Sequence, residues 1–247
     1  MKKFFVLLAA VALAITMAAP ASAYFTDGDL IRVVYNHGGS VEAVTNLGSI
    51  NSILAAAPGT VVGGGADAWS LSSITSTGSY SDLYVTYYTK VASSADVYIS
   101  GTAVLTSGAR KWAGFQTAVS QVNNYYAVFG GTTANTKYGT QADSSSFIGT
   151  MSQTGNGFMG GFIASPEDWA KVDANLADLA TVGFLNTTLY FFDTPDSALA
   201  GVAGLTLLTL ANGSTVINPT AVPVPPAALL LGSGLLGLFG VRRRFSI

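Results

Sequence analysis

Several segments of the chain alternate polar and apolar residues with the period of two that marks a β-strand. In Asp29–Asn36 two sets of residues take alternate positions: Ile31, Val33 and Tyr35 in one, and Arg32, Val34 and Asn36 in the other. Asp82–Lys90 and Ala95–Ser100 are rich in β-forming residues, so we expect two strands that pair with each other. Thr187–Asp193 predicts a further strand.

The segment 204–218 predicts a β-hairpin. It contains two runs of β-forming residues separated by Asn212 and Gly213. Because Asn-Gly accommodates positive φ angles at both positions, we expect a type I′ turn here.

Apolar residues recur at helical spacing in two other segments. In Lys111–Gly131 the stripe consists of Trp112, Phe115, Val119, Val122, Tyr126 and Phe129. In Ser165–Ala180, Ser165 suits the N-cap, Pro166 suits the first helical position, and the stripe consists of Trp169, Val172, Leu176 and Leu179. A short helix is expected within Ser49–Ala57, and segments 59–68 and 130–146 have the composition of loops.

These elements predict a mainly β protein with a few helices (α+β), arranged as an antiparallel β-sandwich-like domain over residues 24–218. The chain has no cysteine, so packing alone must hold this domain together. Between residues 24 and 221 there are six basic and 13 acidic residues, a net charge of −7. An acidic body excludes nucleic acid as a partner, because phosphates require a basic surface.

The first 23 residues have the organisation of a secretory signal peptide. Lys2 and Lys3 precede an uninterrupted apolar run, and Ala21-Ser22-Ala23 supplies the small residues that signal peptidase requires. We therefore expect cleavage between Ala23 and Tyr24.

The C-terminal end of the chain predicts a second signal. A proline-rich spacer, residues 219–226, leads into an apolar segment, residues 227–241, that predicts a transmembrane helix of about 22 Å. This is short against a hydrocarbon core of about 30 Å. Arg242, Arg243 and Arg244 follow, and the positive-inside rule keeps them cytoplasmic.

The segment 222–247 resembles the PEP-CTERM sorting signal. The resemblance is carried by the prolines in Val222-Pro223-Val224-Pro225, by Gly232-Ser233-Gly234 and by the terminal arginines; Val224 stands where the family usually has glutamate. It implies recognition by an exosortase, a membrane-embedded cysteine transpeptidase-like enzyme of Gram-negative bacteria. It also implies a passage through the inner membrane toward the outer cell surface or the extracellular matrix, often among exopolysaccharide.

The body offers little catalytic chemistry. His37 is the only histidine and lies in a strand-to-turn segment, where an exposed loop position is expected. We predict no catalytic, cofactor or metal residues. Glu167 and Asp168 are explained by the start of a predicted helix. Asp27 and Asp29 could bind calcium, but the residue preferences of a turn explain them equally well. Trp69, Tyr84 and Tyr88 are candidates for glycan contact, although aromatic residues are also good strand formers.

The sequence thus predicts an exported structural or interaction protein of the cell envelope or the exopolysaccharide-containing biofilm matrix. Its expected partners are signal peptidase, the exosortase, transiently the inner membrane, and exopolysaccharide. The first alternative is a carbohydrate-binding module, and the second is a carboxylate-based glycoside hydrolase.

We predict that Tyr24 is the first residue of the mature protein, because the Ala21-Ser22-Ala23 site precedes it. Mass spectrometry of the protein isolated from cells measures this terminus. Mature protein that retains Lys2 and Lys3 would contradict the prediction.

Overall fold

The computed structural model of the chain describes residues 25–91, 96–102, 112–127, 135–151, 172–193 and 201–218. The predicted signal peptide, with its cleavage site at Ala21, Ala23 and Tyr24, lies outside these ranges, as do the whole spacer and the whole sorting signal. Within the described ranges no helix combines the length and apolar character needed to cross a bilayer.

The described strands form one curled antiparallel sheet. They are β1 (Asp29–Tyr35), β2 (Val41–Ser49), β3 (Thr60–Val62), β4 (Tyr84–Val91), β5 (Asp96–Gly101), β6 (Thr136–Thr140), β7 (Ala174–Asn175), β8 (Phe184–Phe192), β9 (Val202–Leu210) and β10 (Thr215–Ile217). Their order across the sheet is β3-β10-β9-β8-β5-β4-β1-β2-β6, and β7 also pairs with β4. The predicted mainly β, antiparallel fold class is confirmed, as is the pairing of β4 with β5.

The described helices are mostly short. They are α1 (Ile50–Leu54), α2 (Leu71–Ile74), α3 (Trp112–Ala127), α4 (Phe147–Met151) and α5 (Asp178–Thr181), with 3₁₀ turns at Gly65–Asp67 and Tyr80–Asp82. The apolar stripe predicted for the segment Lys111–Gly131 is confirmed in α3, where four of its residues are buried: Phe115, Val119, Val122 and Tyr126.

The helix predicted over Ser165–Ala180 is wrong in its described part. Only Val172 is helical before β7 begins, and α5 starts a separate turn at Asp178. Val172, Leu176 and Leu179 are all buried, but they reach two different clusters of the core. Hydrogen bonding of β7 to the free edge of β4 therefore outweighs the local helical spacing.

Strand β1 has both of its faces buried, because the sheet carries a core on each side. Ile31, Val33 and Tyr35 lie in the cluster that α3 covers. Leu30 and Val34 lie in the second cluster, which the sheet encloses by curling over itself. The alternation seen in the sequence therefore separates two cores rather than a core from solvent.

The C-terminal hairpin pairs β9 with β10 as predicted, but its turn is not type I′. Gly213 has a φ of +83°, whereas Asn212 does not have a positive φ. The amide of Gly213 donates to the carbonyl of Leu210, and the amide of Leu210 donates to the carbonyl of Ser214. The connection is thus a three-residue loop with one left-handed glycine.

Besides β7, three strands lie where the sequence did not indicate them. Strand β2 was not predicted, and β3 and β6 fall within the segments 59–68 and 130–146 that were expected to be loops. Both of these short strands are at the edges of the sheet, where they pair with only one neighbour. Loop-like composition in an edge strand carries little penalty, because only one side of the backbone must be paired.

A buried carboxylate joins β2 to the helical layer. Glu42 accepts hydrogen bonds from the Tyr126 hydroxyl and from the amides of Phe147 and Ile148, at the start of α4. Burial raises the pKa of Glu42, and these three hydrogen bonds oppose that rise. Opposite Glu42 on β6 is Gly139, whose missing side chain leaves room for the Tyr126 ring and hydroxyl.

We predict that Gly139→Ala lowers the free energy of unfolding by about 1–3 kcal/mol, because the new methyl group overlaps Tyr126. Chemical denaturation measures the change. Gly38→Ala is the matched control: its nearest contact would be Asn36 at 3.8 Å, so the change should stay within about 0.5 kcal/mol. In a Tyr126→Phe background the cost of Gly139→Ala should shrink. Equal costs for Gly139→Ala and Gly38→Ala would refute this packing account.

Candidate functional site

The three aromatic residues proposed for glycan contact have different environments. Trp69 is 3% exposed and Tyr88 is 0% exposed, so neither ring can stack on a sugar at the surface. For these two residues the prediction is wrong, because Tyr88 is buried in the core cluster that α3 covers and Trp69 is buried in the second cluster. Only Tyr84 is half-buried, and its ring packs against the imidazole of His37 at 4.3 Å between centroids.

The main polar cluster near the surface is built around Asp173. Its Oδ2 accepts a hydrogen bond from the Tyr35 hydroxyl at 2.8 Å and contacts His37 Nε2 at 2.9 Å. The carboxylate side chain is 2% exposed, while the His37 side chain is 48% exposed. Burial and the neighbouring carboxylate raise the pKa of Tyr35 well above its usual value, so its hydroxyl stays protonated and donates.

Strand pairing brings these residues together. Tyr35 is opposite Tyr84 in the β1–β4 pair, and Tyr84 is opposite Asn175 in the β4–β7 pair. Asp173 immediately precedes β7, so its side chain reaches the end of β1. A further link comes from Ser100, whose hydroxyl accepts from the Tyr87 amide and donates to the Val172 carbonyl. The cluster therefore depends on residues more than 130 positions apart in the sequence.

In this cluster the Asp173 carboxylate orients the imidazole ring of His37. The contact with Asp173 involves one ring nitrogen, Nε2, and leaves the second ring nitrogen, Nδ1, outside that contact. Among the described residues no hydroxyl is hydrogen-bonded to that second nitrogen. The predicted exposed loop position of His37 agrees with the structure. Its partner Asp173 was missed, because that residue fell within the predicted helix.

A polar cleft of about 540 Å³ lies beside the same turn. Its lining is uncharged and rich in hydroxyl groups: Asn36, Gly38, Gly39, Ser40, Val41, Ser72, Ser73, Ile74, Thr75, Ser76 and Thr77. No carboxylate belongs to this lining.

A second polar cluster is fully enclosed by the sheet. Arg32 is 0% exposed and donates to the hydroxyls of Thr215 and Thr45, at 3.0 and 3.1 Å. It also donates to the carbonyls of Gly63 and Asp67, both at 3.3 Å. Burial lowers the pKa of Arg32 to about 10, so the group remains charged at neutral pH. Its Nε has no hydrogen-bond partner among the described residues.

Two of the remaining carboxylates that the sequence singled out, Asp27 and Asp29, have structural partners. Asp27 forms an ion pair with Lys90 at 3.3 Å. Asp29 accepts from the amide and hydroxyl of Thr26 and from the side chain of Asn46. Glu167 and Asp168 lie outside the described residues. In the ranges that are described, no three His, Asp or Glu side chains come close enough together to hold a metal ion.

Comparison with known proteins gives no relative: no family model, no curated protein and no solved structure matches the chain.

We predict that Asp173→Ala costs about 2–3 kcal/mol in the free energy of unfolding, because it leaves the buried Tyr35 hydroxyl without an acceptor. His37→Ala should cost at most about 1 kcal/mol, since that side chain is half exposed. Urea unfolding measures both. Adding Tyr35→Phe to Asp173→Ala should recover part of the loss, because it removes the unpaired hydroxyl. A smaller loss for Asp173→Ala than for His37→Ala would contradict the assigned roles.

Proposed function

We propose that this chain is an exported structural or interaction protein of the cell envelope or extracellular matrix, delivered there by an exosortase acting on its C-terminal signal. The export half of the proposal is supported by two sequence signals: the Ala21-Ser22-Ala23 site behind an apolar run, and the proline, glycine and arginine pattern of residues 222–247. The body between them carries the function at the destination.

The observation that favours a structural role over sugar binding is the burial of the candidate aromatic residues. A carbohydrate-binding surface presents aromatic rings to solvent, whereas Trp69 and Tyr88 are enclosed in the core. Tyr84 is partly covered by His37. The aromatic residues of the central strands thus contribute mainly to packing.

A structural role is also favoured over a glycoside hydrolase. The most buried carboxylates are held by donors of the fold: Glu42 by Tyr126 and two amides, and Asp173 by Tyr35 and His37. Glycoside hydrolysis needs two carboxyl groups that face one cleft, about 5–10 Å apart. The polar cleft beside β1 has no carboxylate in its lining.

We predict that the tail is removed during sorting, so the mature protein lacks Arg242, Arg243 and Arg244. Changing both Pro223 and Pro225 to alanine should leave the protein in the inner membrane with its tail intact, because these prolines hold the chain extended where a protease needs unpaired backbone. Cell fractionation and mass spectrometry of the C-terminus measure both effects.

Pro219→Ala is the matched control, since it changes a spacer proline outside the Pro-x-Pro pair. It should leave sorting unchanged. If mature protein keeps its terminal arginines and the paired proline change alters neither size nor location, the tail is a permanent anchor and the sorting proposal fails.

A glycan array tests the proposed structural role of the body. A consistent sugar preference that Tyr84→Ala abolishes would favour the carbohydrate-binding alternative.

A further inference from the structure

The outward face of β3, β10 and β9, together with the first residue of β8, presents a contiguous apolar surface, which ends at the exposed Asn186 of β8. Paired residues of neighbouring strands share a face, and Val61, Val216 and Leu208 are aligned in one row across three strands. Phe184 and Leu210 form the adjoining row. We call these five residues the outer patch. The residues between them along β9 and β10, such as Thr209 and Thr215, point inward and are buried.

Solvent reaches the outer patch. Val61 is 59% exposed and Phe184 is 37% exposed, while Leu208, Leu210 and Val216 are half-buried. Val182, just before β8, is another exposed apolar residue at 57%. Scattered apolar residues on a surface need no explanation, but a contiguous set along four strands indicates a contact surface.

The charges of the sheet are confined to its other half. Each of β1, β2, β4, β5 and β6 carries at least one charged residue: Asp29 and Arg32, Glu42, Lys90, Asp96 and Lys137. Strands β3, β8, β9 and β10 carry none. In a body with a net charge of −7, this half of the sheet can approach an uncharged apolar surface without desolvating an ion.

The chain leaves the described structure beside this patch. Asn218 follows β10, donates its amide to the carbonyl of Thr206 and accepts from the Thr206 amide through its side chain. Thr206 is two positions from Leu208 on the same face of β9. Only eight residues, 219–226, separate Asn218 from the apolar segment 227–241. Fully extended, they span roughly 26 Å at about 3.3 Å per residue.

We propose that the outer patch rests on the surface of the lipid bilayer while the tail is inserted in it. This inference depends on the proposed function in one respect, the membrane insertion of residues 227–241. A tethered body is held at high effective concentration near the bilayer, so a small apolar patch suffices for contact. The patch enters the interfacial region as the apolar face of a peripheral membrane element does. The uncharged strands around it fit a zwitterionic surface.

The absence of cysteine allows a direct test with the full chain. Single cysteines are introduced as Val61→Cys and Phe184→Cys in the outer patch, and as Ser40→Cys, an exposed control in the turn between β1 and β2. Each is labelled with an environment-sensitive fluorophore, and each protein is reconstituted into phosphatidylcholine vesicles. Circular dichroism and thermal unfolding check that the labelled variants keep the fold.

We expect the probes at positions 61 and 184 to shift to shorter wavelength and to be quenched by lipids that carry a spin label near the headgroup. The probe at position 40 should keep its aqueous emission. If the protein floats with the vesicles but all three probes behave alike, the contact between the outer patch and the bilayer is refuted. The insertion of the tail would still stand in that case.

Two further outcomes also decide against the patch as a membrane contact. If the full chain does not float with vesicles, the insertion of the tail and the docking of the patch both fail. If the probe at position 61 shifts in detergent without vesicles, and the shift grows with protein concentration, the patch pairs two copies of the chain instead.

Discussion

The curl of the sheet depends on the guanidinium of Arg32. A charged group at the centre of β1 must find hydrogen-bond partners inside the protein, because an unpaired buried charge is very costly. Its partners come from β2, from the turn after β3 and from β10, which lies five places from β1 in the sheet order. Tyr87 supports the same closure, since its hydroxyl contacts Thr209 on β9 and Thr215 on β10. The two ends of the sheet are thereby held over the same polar centre.

This closure determines which surfaces remain available. The inward face of β8, β9 and β10 packs on the second core cluster, so its residues are apolar or paired threonines. The face on the other side of β1, β4 and β5 is covered by α3, which buries Phe115, Val119 and Val122. Because α3 covers only the central strands, the outward face of β3, β10 and β9 stays open. The exposed apolar surface is a consequence of a helical layer narrower than the sheet.

The polar cluster at the end of β1 shows the same dependence on strand pairing. Asp173 is held 2.8 Å from Tyr35 only because β7 occupies the part of the β4 edge that β5 leaves free. Its hydrogen bond fixes the imidazole of His37 in the turn whose neighbouring residues, Asn36 and Gly38, line the uncharged cleft. A buried carboxylate whose oxygen is satisfied by two donors strengthens the fold.

The sequence by itself determined the strands whose local pattern is strong: β1, β4, β5, β8 and the β9–β10 hairpin, together with the amphipathic helix α3. Period-two and helical spacing express which side of an element meets apolar surroundings, and this preference is local. The predicted secretion and sorting signals, on which the proposed function rests, also come from the sequence alone, because such signals are short linear patterns. Tertiary structure alone decided the rest. Strands β3, β6 and β7 exist because a neighbouring edge offers hydrogen bonds, and that edge cannot be seen in their own residues. The same reason applies to Arg32, Glu42 and Asp173, whose hydrogen-bond partners are distant in the sequence. It applies also to Trp69 and Tyr88, because the residues that bury them come from other parts of the chain.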